Sequence, residues 1–167
     1  RRSFGDEFDR IFICVGGGGG TGTGTMTQLV EASAELQDTL GIESPVGLIL
    51  SLPKKSEGKK VNANASTCLK DAYELVEKGK VSPLILVDNE KITKMYPRLA
   101  ISKFWETANM SVAGVFHLYN LTASKDSTYT SFDSNDLKSV LDSGLIMFGA
   151  TPVKEWNDQI SLTRAVR

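Results

Sequence analysis

Between the apolar run Ile11-Phe12-Ile13-Cys14-Val15 and an amphipathic segment from Met26 to Leu40 lies Gly16-Gly17-Gly18-Gly19-Gly20-Thr21-Gly22-Thr23-Gly24-Thr25. A buried strand is therefore expected to run into a glycine loop that opens a helix. Glycine has no Cβ, so such a loop can adopt positive φ and let its backbone approach a ligand closely. Successive amides, with the positive end of the following helix, can form a nest for an anion. Thr21, Thr23 and Thr25 add hydroxyl groups, and the run reads as a cradle for phosphates. A flexible linker is the competing reading, but linkers join domains, and this run joins a strand to a helix. The common nucleotide fingerprints fit poorly. Gly24 is followed by Thr25-Met26 where a P-loop needs Lys, and Gly17-x-Gly19-x-x-Gly22 matches a dinucleotide pattern only because glycine is so frequent here.

Composition narrows the classes. The chain has 167 residues, 41% hydrophobic and 23% charged, which suits one globular domain. A net charge of −1 gives no global field favouring direct contact with nucleic acid or an anionic membrane. No apolar stretch approaches the ~18 residues that span a bilayer, and Arg1-Arg2-Ser3-Phe4-Gly5-Asp6-Glu7 is not a secretory signal. Because the first residue is Arg1, a trimmed or processed piece is expected. Cys14 and Cys68 lack metal-ligand spacing and are expected to be free core thiols in a cytoplasmic protein.

Further along, Met26, Leu29, Val30, Leu36 and Leu40 recur at helical spacing, with Gly41 as a stop. A strand is predicted over Val46–Leu52, and a polar loop over Lys54–Lys60. A helix follows with Val61, Ala65, Leu69, Ala72 and Val76 on one face and Gly79 closing it, then a strand over Leu84–Val87. Apolar runs that are continuous rather than alternating, separated by helices, predict an α/β fold with a parallel sheet flanked by helices. Ligands of such sheets bind beyond the carboxyl ends of the strands, where the glycine loop and Asp88-Asn89 both fall. After Pro97 a long central helix is predicted over 99–121, ~33 Å long. A polar loop over Thr122–Ser131, a short helix over Ser134–Leu141, a strand over Leu145–Phe148 and a final helix from Pro152 complete the pattern. Two units are expected: 1–121, containing the glycine loop and the long helix, and 122–167, the start of a second domain.

Gly18-Gly19-Gly20-Thr21-Gly22-Thr23-Gly24 resembles the signature loop of the tubulin/FtsZ GTPases. Further stretches resemble that family in order and spacing. Glu57-Gly58-Lys59-Lys60 is similar to its ribose-reaching loop, and Val87-Asp88-Asn89-Glu90-Lys91 to a loop whose Asn reads the guanine edge. Trp105 and Asn109 match a base-stacking aromatic and a base-reading Asn on the central helix. Ser131-Phe132-Asp133-Ser134-Asn135-Asp136 resembles an acidic loop that completes the active site of a neighbouring subunit. Leu48-Ile49-Leu50-Ser51-Leu52-Pro53 and Phe132-Asp133 look most like the TubZ branch found on plasmids and phages. The resemblance spans residues 8–151.

It implies a partial GTPase domain binding GTP or GDP with Mg²⁺ and polymerising with itself head to tail, with DNA-bound or division adaptors as further partners. Gly18, Gly19, Gly20, Thr21, Gly22, Thr23 and Gly24 would hold phosphates, with Thr21 and Thr23 donating to them. Glu57 would reach the ribose, and Asn89, Trp105 and Asn109 would select guanine. Asp133 and Asp136 would position the attacking water, not for their own nucleotide, from which the long helix separates them, but for a neighbour's. Each residue has a plainer reading. Trp105 could be core with Asn109 on the surface, Asn89 could cap a helix before Glu90, and Glu57 could be an ordinary loop carboxylate. Asp133 and Asp136 could simply stabilise a helix amino end. His117, among Phe116, Leu118 and Tyr119, reads as packing, and Lys54-Lys55 and Lys59-Lys60 as solvated. Val61 stands where division relatives have Arg, and Ser131 where they usually have Asn, so a non-hydrolysing, tubulin-like binding or adaptor module is the alternative. The family's first strand and first glycine loop are not upstream of Arg1, so an exposed sheet edge and self-association are expected.

Overall fold

The computed structural model describes residues 8–98, 100–123 and 133–146. Four strands, β1 (Phe12–Gly16), β2 (Val46–Leu52), β3 (Val81–Asp88) and β4 (Leu145–Ile146), form one parallel sheet in the order β1-β2-β3-β4. Helices α1 (Gly20–Leu40) and α2 (Lys59–Glu77) make the crossovers between the first three strands. Strands laid down in sequence, with crossovers of one hand, put both helices on the same face. There Met26 and Val30 of α1 and Cys68, Ala72 and Leu75 of α2 meet Val15, Val46, Leu48, Leu50, Val81 and Leu84 of the sheet. The register places Val46 opposite Val81 but Leu48 opposite Leu84, so β3 carries one extra residue at Ser82-Pro83 and still turns both hydrophobes into this core.

The opposite face is served by α4 (Ile101–Ala123), which buries Phe104 and Ala108. Phe12 packs edge-on against Phe116 of α4 at 5.0 Å and lies over Gly47, where a Cβ would sit 2.4 Å from its ring. Lys54, just beyond β2, lies over Phe104 near the other end of α4. The helix therefore runs from the carboxyl ends of the strands to their amino ends. Two shorter α-helices complete the described residues, α3 (Asn89–Met95) directly after β3 and α5 (Ser134–Leu141) before β4. Gly41 and Gly79 take φ of 73° and 69° and end α1 and α2 as the sequence predicts.

Several expectations are corrected. The first helix begins at Gly20, not Met26, so most of the glycine run is helical. The segment 55–57 is a 3₁₀ turn, and β3 begins at Val81. The long helix extends to Ala123, so residue 122 falls inside it. Cys14 is exposed, because alternate residues of β1 face away from α1 and α2, and β1 pairs only with β2 among the described residues. His117 is exposed on α4 rather than packed. Met147, Phe148, the polar stretch 124–132 and the helix expected from Pro152 lie outside the described residues.

Candidate functional site

The glycine run leaves the sheet at its carboxyl edge. The Gly17 amide donates to the Ser51 carbonyl at 2.9 Å, prolonging the β1–β2 ladder, and Gly19 forms the extended residue before α1. None of the glycines from 16 to 24 has positive φ, so left-handed backbone is not why they are there. Close approach explains three of them. A Cβ on Gly18 would lie 2.5 Å from Val61 Cγ1 of α2, one on Gly17 3.1 Å from Leu50 Cδ1, and one on Gly22 2.8 Å from the Gly16 carbonyl. These contacts let α1 start directly against the strand end and under α2. Gly19, Gly20 and Gly24 face the opposite situation, with nothing within 4 Å of where a Cβ would be. The first turn of α1 carries no side-chain cap and no acidic residue, so its amides are open to an anion from outside the chain.

The three threonines divide. Thr23 Oγ1 donates to the Gly17 carbonyl at 2.8 Å and Thr25 Oγ1 to the Thr21 carbonyl at 2.8 Å. Thr23 thus braces the loop with the proton expected to reach a phosphate, whereas the exposed Thr21 makes no side-chain hydrogen bond among the described residues. Behind the loop, Asn64 Nδ2 of α2 donates to the Gly18 carbonyl at 3.3 Å. Deeper still, Cys68 Sγ lies 3.7 Å from Met26 Sδ, and burial raises its thiol pKa, helped by Asp71 and opposed by the Thr23 hydroxyl.

Asn89 sits beside this loop. It is 6% exposed, and its Nδ2 donates to Ser51 Oγ at 3.3 Å, on the residue whose carbonyl receives the Gly17 amide. The helix cap that is the alternative reading of Asn89 is supplied by Asp88, whose Oδ1 accepts the Glu90 and Lys91 amides at 2.9 and 3.1 Å. With the cap filled by its neighbour, Asn89 projects into the strand-end cluster. Ser51, hidden in an apolar run, was missed from sequence; a hydroxyl at the carboxyl end of a central strand was the available signal.

The loop after β2 forms the adjoining rim. Glu57 Oε1 accepts the Lys54 amide at 2.8 Å while the Glu57 amide donates to the Lys54 carbonyl at 3.0 Å, and Glu90 Oε2 accepts the Lys55 amide at 3.2 Å. Lys54 is not simply solvated, since its Nζ lies 4.8 Å from the Phe104 ring centroid. This contact joins the rim to the amino end of α4. Trp105 is 52% exposed there and meets the Phe104 ring edge-on at 5.1 Å, while Asn109, one turn on, is also exposed. Trp105 is therefore not core, and Phe104 fills that role.

Asp133 and Asp136 cap the amino end of α5. Asp133 Oδ1 accepts the Asn135 and Asp136 amides at 2.8 and 3.0 Å, and Asp136 Oδ2 accepts the Asp133 amide at 3.2 Å. Both carboxylates are exposed, and α5 is anchored to the amino ends of β1 and β3 through Arg10 and Ser82. The glycine loop and the anchor of α5 thus mark opposite ends of the sheet, and no hydrogen bond joins the acidic cap to the loop among the described residues. No helix of the described residues is long and apolar enough to cross a membrane.

No family model matches the chain, and no curated protein does. Solved structures do. GDP-form protofilaments of TubZ from Bacillus thuringiensis serovar israelensis superpose with a TM-score of 0.72 at 21% identity, covering 94% of this chain and 44% of TubZ. CetZ from Methanosaeta thermophila has a TM-score of 0.59 at 27% identity over 83% of this chain and 35% of its own. An empty FtsZ dimer from M. jannaschii gives 0.59 at 25% over 82% and 37%. A GTPγS-form protofilament of the same TubZ also matches, with a TM-score of 0.66. The chain spans less than half the length of each. The parallel four-stranded sheet flanked by helices matches the tubulin/FtsZ GTPase fold, of which the chain carries part, with TubZ, CetZ and FtsZ as relatives in structure.

Proposed function

We propose that this chain is the phosphate- and guanine-binding part of a cytoplasmic, GTP-hydrolysing filament protein whose subunits stack head to tail. The observation that carries this reading is the division between the two ends of the sheet. One end has an uncapped helix start with open glycines, and the other anchors α5, the helix whose cap is an exposed pair of carboxylates. A carboxylate at one end cannot serve a nucleotide at the other end of its own subunit, but head-to-tail stacking brings the two ends of neighbouring subunits together. The relatives solved as TubZ protofilaments in GDP and GTPγS forms support the same reading.

In this arrangement the open backbone at Gly19, Gly20 and Gly24, with the Thr21 hydroxyl, receives the phosphates, while Gly17, Gly18, Gly22 and Thr23 hold the loop in shape. Asn89, Trp105 and Asn109 receive the base, and the rim holding Glu57 faces the ribose. Mg²⁺ would neutralise phosphate charge. No group of three or more metal-ligating side chains occurs among the described residues, so the ion would rest mainly on the phosphates and water. Asp133 and Asp136 orient a water in line with the γ-phosphorus of the nucleotide on the next subunit. The water oxygen bonds to that phosphorus as its bond to the β–γ bridging oxygen breaks, and the water's proton passes to the released phosphate, giving GDP and phosphate. Adaptors linking filaments to DNA or to the division machinery are the expected partners.

The test uses the full-length protein. GTP turnover per molecule is expected to rise with protein concentration, and Asp136→Ala is expected to form filaments that persist while wild-type filaments turn over. A turnover rate independent of concentration would remove the junction mechanism. GTP binding with neither filaments nor turnover would favour a non-hydrolysing tubulin-like module, in which Asp133 and Asp136 serve only their capping box.

A further inference from the structure

Arg10 stands two residues before β1, and its side chain is 4% exposed. The nucleotide reading makes no use of it. Its guanidinium holds three partners: Nη1 donates to the Ser82 carbonyl at 2.5 Å and the Leu141 carbonyl at 3.0 Å, and Nη2 donates to the Asp142 carboxylate. Ser82 lies at the start of β3, and Leu141 is the last residue of α5. One planar fork therefore ties the amino ends of two strands to the carboxyl end of α5. Ser82 closes the joint, since its hydroxyl donates to the Leu141 carbonyl at 2.8 Å and accepts the Gly144 amide at 3.0 Å.

Among the described residues, α4 is the main other element packed against α5. Asp133, Asn135, Asp136, Lys138 and Ser139 are exposed, and Leu137, Val140 and Leu141 are only half-buried. A helix this short is marginal without tertiary support. We infer that Arg10 is a positioning residue: by pinning the carboxyl end of α5 it aims the Asp133–Asp136 cap, at the other end, into the subunit junction. The inference rests on the junction reading above. A helix of this length is ~12 Å long, so a tilt of about 15° at the pin moves the cap by about 3 Å. Misplacement of ~1 Å can already cost ~100-fold in rate.

In the full-length protein, Arg10→Ala is expected to bind a fluorescent GTP analogue within about twofold of wild type while hydrolysing GTP at least about tenfold more slowly. Amide exchange across 134–142 is expected to quicken about tenfold, with the glycine-loop helix unchanged. A mixing experiment separates positioning from general damage. Arg10→Ala keeps an intact nucleotide end, and Gly22→Val, which damages that end, keeps an intact acidic cap; their mixture is expected to regain turnover above either alone. A mixture of Arg10→Ala with Asp136→Ala is expected to regain none, because neither supplies a working cap. Asp142→Asn, which keeps the shape but removes the charge, repeats each measurement should Arg10→Ala fold poorly. Wild-type exchange or turnover in both variants overturns the inference, as does parallel loss of nucleotide binding or equal recovery in the two mixtures. Absence of GTP turnover in the wild type overturns the junction reading itself.

Discussion

At the glycine run, the outcome of a substitution depends on what a methyl group would meet. Gly24 lies within α1 with nothing within 4 Å of its absent Cβ, so Gly24→Ala is expected to stabilise the nucleotide-free protein by ~0.5–1 kcal/mol in urea denaturation. The same change is expected to weaken nucleotide binding, because it fills space on the open side. Gly22→Ala gains the same helix propensity but sets its Cβ 2.8 Å from the Gly16 carbonyl, and a loss of ~1–3 kcal/mol is expected. Trp105 gives the complementary case. At 52% exposure, Trp105→Ala is expected to move stability by less than ~0.5 kcal/mol. If its ring stacks on a base, worth ~1–3 kcal/mol, affinity for a guanine nucleotide should fall about tenfold; unchanged affinity would take Trp105 out of the site. The glycines and Trp105 were legible because their types are unusual where they stand. Thr23 was not, since the carbonyl that captures its hydroxyl belongs to Gly17, six residues earlier.

The elements were legible where their period was clean. β2 and α2 fall close to their predicted limits because a continuous apolar run and a helical stripe are local signals. The start of α1 was missed because glycine is a poor helix former, and only the strand end and α2 pressing on Gly17, Gly18 and Gly22 reveal why the helix starts there. Capping shows the same limit. Asp88 and Asn89 are equally good caps in sequence, but the end of β3 gives the position to Asp88, and Asp88→Ala is expected to cost ~1 kcal/mol in thermal unfolding. The two thiols divide by face. Cys14 is expected to react with a thiol reagent in the folded protein, and Cys68 only on unfolding. Burial raises the Cys68 pKa, so above the ordinary thiol range, ~8.5, the unfolded chain binds fewer protons than the folded one and stability falls as pH rises. Urea titrations between pH 7 and 10 should show a slope from this source that Cys68→Ala removes.

At the scale of the whole molecule, β1 has a neighbour on only one side among the described residues, and Cys14 lies exposed on its outer face. An unpaired strand edge is a template for another strand. The 167-residue chain expressed by itself is expected to self-associate as its concentration rises, read by sedimentation velocity; a monomer at every concentration would show that the edge is covered. The same geometry governs function. The long helix α4 links the strand ends bearing the glycine loop to those that anchor α5, so in the proposed head-to-tail stack a nucleotide on the loop would meet the Asp133–Asp136 cap of another subunit.

The sequence by itself determined the parallel α/β pattern, the glycine loop at a strand end and a long helix separating it from the acidic pair. Each is written in nearest-neighbour chemistry: apolar period, a residue without Cβ, a helix length in residues. Only the tertiary structure decided which glycines are pressed and which are open, that Ser51 joins Asn89 to the loop, that Trp105 is exposed above a buried Phe104, and that Arg10 holds α5. Those depend on atoms far apart in the chain that meet only when the sheet has formed, and neither residue type nor period carries that information.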